Sequence, residues 1–305
     1  MVTCQSYKVA YLLLVHKLPK QVRRLIERLQ FEGSAFWIHV DAKADAAHFV
    51  KELSGLEKVY FIKNRFNGDW GWFPFVQANI EGIKAIDDSG YGYDHLIILS
   101  GQDYLLCNNA DLINFLHSHR ESSFVQHVPV TSELNPHVSD RVTKYHVKLP
   151  LKKKIVYPYS SKALSKRLIN EVLNISGKYP LPRIIPGDRQ LYFGSNWMRF
   201  TKKAVRFLIE RINAEPDYTA YFKSTCLAEE HFFHTLLLNA NEEERGPIIN
   251  NNFTFCHWKR ASELYPVPLN MSDIDNLLQS GDLLARKFDC DFETEILDFL
   301  DRKFA

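Results

Sequence analysis

Apolar positions fall into two alternating rhythms along the first half of the chain. Lys8–Val15, apolar from Val9 onward, predicts a central strand. Leu18–Gln30 follows with Val22, Leu25, Ile26 and Leu29 at helical spacing, so one face of a helix is expected to pack inward. The same exchange repeats: strand Ala35–Val40, helix Ala44–Leu53, strand Val59–Ile62, helix Pro74–Ile86, strand His95–Leu99. Strand alternating with helix predicts an α/β fold with a mostly parallel central sheet.

The strand at His95–Leu99 ends abruptly in Ser100, Gly101, Gln102 and Asp103. Small and polar groups at the carboxyl end of a parallel strand predict a ligand site, because open α/β sheets bind ligands at that edge. Ser100 and Gly101 suit close backbone approach, to a ligand or within a tight turn. Beyond lie a helix at Ala110–Leu116 and a strand at Ser123–His127. From Pro129 to Pro186 the pattern loosens, with one convincing helix at Lys162–Leu173, which predicts a binding loop or lid. Order returns at Leu191–Phe193. Helices are expected at Lys202–Asn213, Ala228–Asn239, Ser272–Gln279 and Phe292–Phe304, with a strand at Phe253–His257. The expectation is one domain over 1–305: a nucleotide-binding half (1–128), an insertion (129–190) and an acceptor and catalytic half (191–305).

A chain of 305 residues with 46% hydrophobic content can bury a large core. Its 38 basic and 36 acidic residues nearly balance, which argues against nucleic acid as a partner. Basic residues cluster at Lys148–Lys154 and Lys162–Arg167, leaving peripheral contact with the inner face of a membrane open. The five cysteines are scattered without a CxxC pair and the first apolar run is too short to span a bilayer; both point to a soluble, cytoplasmic chain.

Trp70 and Trp197 are candidates to stack on sugar rings, and Gln126 joins them as an acceptor-site candidate. His231 and His234 beside Glu229 and Glu230 invite a metal, but the histidines are three apart where an HExxH site needs four, and no third ligand is near. One histidine is expected to pack and the other to be exposed, with Glu230 and His234 spaced to hydrogen-bond. From the residues alone, both glutamates read as first-turn carboxylates that stabilise a helix. The GQD at Gly101–Asp103 lacks the first carboxylate of a DxD, so no metal is expected there.

The motifs HVDAK (His39–Lys43), GDWGWFPFVQA (Gly68–Ala78), LSGQDYLL (Leu99–Leu106), GSNW (Gly194–Trp197), EEHFFHT (Glu229–Thr235) and LLARKFD (Leu283–Asp289) occur in one order. In that order the chain resembles the core-2/I-branching β-1,6-N-acetylglucosaminyltransferases and peptide O-xylosyltransferases.

The resemblance implies a GT-A (Rossmann-like) fold and an inverting, metal-independent transfer of N-acetylglucosamine or xylose from a UDP-sugar to a glycan or polysaccharide hydroxyl. It implies Glu230 as the general base, with Glu229 and Ala228 replacing the usual Asp and Pro. Asp41 would contact uracil, His16 would close the first strand beside it, and Lys287 would hold the diphosphate. Ser100 and Asp103 complete the expected donor site. A second diphosphate Arg has no clean match: Thr254 stands at the aligned position, and Arg260 or Lys259 is the candidate substitute. That departure keeps a second reading alive, a nucleotide-sugar or glycan-binding protein without turnover.

Overall fold

The computed structural model describes residues 7–68, 71–131, 136–144, 146, 183–258 and 266–304. The apolar run of the first strand is explained by burial on both faces. In β1 (Val9–Val15) every residue is buried. Ala10, Leu12 and Leu14 join one core layer, whereas Val9, Tyr11, Leu13 and Val15 join the other. Alternation by two along a strand sends neighbours to opposite faces, so a strand covered on both sides has no polar positions left.

The central sheet takes up β2 (Ser34–Val40), β3 (Val59–Phe61) and β4 (His95–Ser100) in parallel with β1. Crossovers α1 (Pro19–Leu29), α2 (Ala46–Glu52) and α3 (Phe73–Asp88) connect them. After β4 come β5 (Asp103–Leu105), α4 (Asn109–Ser118), β6 (Ser123–Phe124), β7 (His127–Pro129) and α5 (Pro136–Thr143). The next stretch holds β8 (Tyr192–Gly194), β9 (Arg199–Thr201), α6 (Lys202–Ala214), α7 (Pro216–Phe222) and α8 (Phe232–Leu238). The chain closes with α9 (Glu242–Arg245), β10 (Ile248–Ile249), β11 (Thr254–Cys256), α10 (Ile274–Gln279), β12 (Leu284–Arg286) and α11 (Glu295–Lys303).

The strand order is β10-β6-β9-β4-β1-β2-β3, with β9 antiparallel to both neighbours. Helices α3 and α6 cover one face through residues such as Val76, Ile83, Val205 and Leu208; α1, α4 and α11 cover the other. Each such side chain contributes about 1.5–3 kcal/mol when fully buried. The expected α/β class and mostly parallel sheet are therefore present. Among the described residues, no helix is long and apolar enough to cross a membrane.

Several elements differ from the sequence reading. The loop expected after β4 is a two-residue turn, and Asp103–Leu105 then joins a second sheet of order β11-β12-β5. The strand expected at Ser123–His127 is divided into β6 and β7, which serve different sheets. The single helix expected at Ala228–Asn239 is a 3-10 turn (Ala228–Glu230) followed, after His231, by α8. The expected helix at Lys162–Leu173 lies outside the described residues.

Candidate active site

The carboxyl ends of β1, β2 and β4 open onto a cleft of about 1340 Å³. His16, Asp41, Ser100, Gln126, Trp197, Glu230 and Lys287 all line it, although they come from distant parts of the chain. Asp103 is fully enclosed beneath the wall. Trp70 and Arg260 lie outside the described residues, as does Lys259.

At the basic corner the second sheet does the positioning. In the antiparallel register of β12 and β5, Arg286 sits opposite Asp103. The Arg286 Nε is 3.0 Å from Asp103 Oδ1, and its guanidinium lies 3.8 Å from the Trp197 ring centroid. Asp103 also accepts the Ser100 backbone N–H at 2.7 Å and the Ser100 hydroxyl at 3.0 Å. Burial pushes its pKa up, while Arg286 and Ser100 pull it back. One guanidinium thus joins the SGQD, GSNW and ARKFD motifs.

Beside it, the Lys287 ammonium is held down to about 8, by burial first and by Arg286 next. The backbone on either side is bracketed by Gln21, buried on the inner face of α1. Gln21 Nε2 donates to Gly101 O (2.8 Å) and Phe288 O (3.1 Å), and its Oε1 accepts the Cys290 N–H (2.8 Å). Lys17 pairs with Asp289 at 2.5 Å. Asp41 is aimed by backbone: its Oδ1 accepts from Lys43 N (2.8 Å) and its Oδ2 from Gly68 N (2.9 Å). His16 closes β1 on the cleft wall, where desolvation and then Lys17 hold its pKa below normal. Thr254 is also on the wall, its hydroxyl accepting from the buried Arg199 at 3.1 Å.

The acidic corner is built on the 3-10 turn. Leu227 enters it with φ 54°, and the Leu227 N–H donates to Gly71 O at 2.9 Å. Gly71, itself at φ 82°, returns its N–H to Glu229 Oε1 at 3.2 Å. Glu229 is 2% exposed and, among the described residues, its Oε2 has no hydrogen-bond partner. Burial, then the neighbouring Glu230, raises its pKa to about 8. Glu230 is raised to about 7 by burial, against the opposing pull of Arg141, whose Nη1 donates to Glu230 Oε2 at 2.8 Å. A helix N-terminus would favour the ionised carboxylate; with only a 3-10 turn behind it, desolvation wins.

The histidines correct the sequence reading. Both His231 and His234 are buried, and neither is exposed. His231 Nδ1 donates to Tyr192 O (2.9 Å) and His234 Nε2 donates to Ser195 O (3.0 Å), so His234 braces the GSNW loop and makes no bond to Glu230. Burial first holds each near 3, hence neutral. Gly194 is needed here: an added Cβ would lie 1.9 Å from Gln126 O and 2.7 Å from the His234 ring.

Two contributors were missed from sequence, Gln21 on the apolar face of α1 and Arg141 in the stretch without periodicity, and Arg286, beside Lys287 in the LLARKFD motif, was not placed on Asp103 and Trp197. Only Gln21 left a signal, a polar residue directly before Val22 on the packed side of α1.

Residues 9–277, which include Asp41, Asp103 and Glu230 and end before Arg286 and Lys287, match the family described as Core-2/I-Branching enzyme. The chain belongs to that family. Human "Xylosyltransferase 2" is 24% identical over 96% of this chain and 33% of its own length. The Arabidopsis thaliana "Beta-glucuronosyltransferase GlcAT14A" is 29% identical over 92% of this chain and 60% of its own. A human "Probable beta-1,3-galactosyl-O-glycosyl-glycoprotein beta-1,6-N-acetylglucosaminyltransferase 7" is 22% identical over 98% and 68%. This Core-2/I-Branching chain therefore spans about a third of the length of the xylosyltransferases it matches.

Proposed function

We propose that this chain is an inverting glycosyltransferase that moves a sugar from UDP to a hydroxyl of a glycan, with Glu230 as base and no metal. The supporting observation is the meeting of a carboxylate raised to about 7 and a lysine held to about 8 on the wall of one cleft. Single displacement needs both. As the acceptor oxygen bonds to the anomeric carbon, its proton passes to Glu230; the bond from that carbon to phosphate breaks, and Lys287 stabilises the charge on the leaving diphosphate. Asp41 offers a backbone-fixed carboxylate for the uracil or ribose, near His16.

The cleft, at about 1340 Å³, exceeds the roughly 300–1,000 Å³ of an ordinary small-molecule site, which suits two substrates together. Asp103, the carboxylate that a metal-bridged diphosphate would recruit, is already taken by Arg286 and Ser100, so a fixed cation is the simpler counterion. The names of the relatives put xylose, glucuronic acid and N-acetylglucosamine first as transferred sugars. Thermal-shift screening of UDP-xylose, UDP-glucuronic acid and UDP-N-acetylglucosamine, followed by turnover with and without EDTA, tests this. A rise in melting temperature with one donor, and turnover that survives chelation, is the expected result; activity abolished by EDTA overturns metal independence.

A further inference from the structure

Glu230 is held from outside the segment that carries it. The backbone of α5 is fastened to the chain that leads into the base turn: Cys226 N–H donates to Arg141 O at 3.1 Å, and Tyr221 OH donates to Val142 O at 2.7 Å. Just past the helix, His146 N–H donates to Ser224 O at 3.0 Å, and Arg183 Nη1 donates to Val142 O (3.0 Å) and Lys144 O (3.1 Å). Arg141 is thereby fixed at both ends. Its carbonyl is tied beside the turn, and its guanidinium lies 5.7 Å from the Phe193 ring centroid and 2.8 Å from Glu230 Oε2. Both side chains keep only about a quarter of their surface accessible, 25% and 24%. Among the described residues, Glu230 Oε1 has no hydrogen-bond partner, and Glu230 lines the cleft.

We infer that Arg141 is a positioning residue of the transfer: by holding Glu230 Oε2 it presents Oε1 as the atom that receives the acceptor proton. This rests on Glu230 being the base. A carboxylate free to rotate would offer either oxygen in many orientations, whereas a charge-assisted bond from a guanidinium whose backbone is tied down fixes one. Among the described residues, the charges that face Glu230 are few. Arg141 comes from α5, where Asp140 and Lys144 pair with each other at 3.4 Å, and the turn itself supplies buried Glu229 and the neutral ring of His231. Arg141 is thus the cation that keeps a desolvated base ionised beside a second carboxyl group.

The test uses the whole chain as wild type, R141Q, R141K and E230Q. Carbon-13 labelling of glutamate reads the Glu230 carboxyl titration directly, its resonance assigned by disappearance in E230Q. In R141Q the midpoint is expected to move up by one pH unit or more, a tenfold rise in proton affinity. The kcat at pH 7 should fall at least tenfold while KM for the UDP-sugar stays within twofold, and the acidic limb of kcat should move with the midpoint. R141K, which keeps the charge but not the fork, should recover at least half of the midpoint shift; if R141Q does not fold, a midpoint for R141K above wild type carries the same test. An unmoved midpoint, or a loss confined to KM, overturns the role of Arg141. Wild-type turnover in E230Q would instead overturn the base assignment, with the titration still reading Arg141.

Discussion

The two corners of the cleft treat charge in opposite ways. At the basic corner, the buried carboxylate of Asp103 is matched by Arg286 at 3.0 Å, and Lys287 stands beside the pair as a further cation. At the acidic corner, among the described residues, Glu229 and Glu230 share one arginine, and burial raises both pKa values. Cations suit a departing diphosphate; neighbouring carboxyl groups with raised affinity suit the uptake of a proton. The difference teaches that, on the proposed reading, opposite charge at the two ends of one cleft would serve the two halves of the transfer.

The comparison breaks most sharply at the base. E230Q should lower kcat by about 10²- to 10⁴-fold, the usual span for general base catalysis, with UDP affinity by calorimetry within twofold of wild type. Removing the matched cation gives the next largest effect. R286M strands Asp103 in the interior and should destabilise the fold by about 3–5 kcal/mol in denaturant titrations, with much of that recovered in the R286M/D103N double variant. If the single variant costs nothing, the pairing at this corner is not what holds its three motifs together.

Smaller changes sharpen the picture. K287A should weaken UDP binding by roughly 10- to 100-fold, since a hydrogen bond to a charged group is worth about 1.5–3 kcal/mol. The pH dependence of kcat/KM follows from both corners. Glu230 must lose its proton, so activity rises through a pH of about 7; Lys287 must keep its proton, so activity falls as pH rises through about 8. A narrow bell is expected, and a profile flat from pH 6 to 9 would contradict both assignments.

What the sequence made legible, and what it hid, follows these regions. β1, β2, β4 and the helices between them were plain because buried faces impose a period, as with Val22, Leu25, Ile26 and Leu29. Asp41, Glu230 and Lys287 were placed through motif likeness, and all three line the cleft. By contrast, β5, β9 and β12 have three residues each, too few for any period to register, yet they carry Asp103, Arg199 and Arg286. The pairing of Arg286 with Asp103 depends on register between strands far apart in the chain, which no local pattern encodes. One of His231 and His234 was expected to be exposed; a 3-10 turn before α8 and the close approach of Gly194 enclose both.

One guanidinium stacked on Trp197 and paired with Asp103 also limits how such a protein can be altered. Donor preference cannot be transplanted from a relative by exchanging a single loop, because the SGQD turn, the GSNW loop and the ARKFD strand interlock through the same side chain. They have to travel as a set, and a chimera that moves one of them inherits a mismatched joint before it acquires a new substrate.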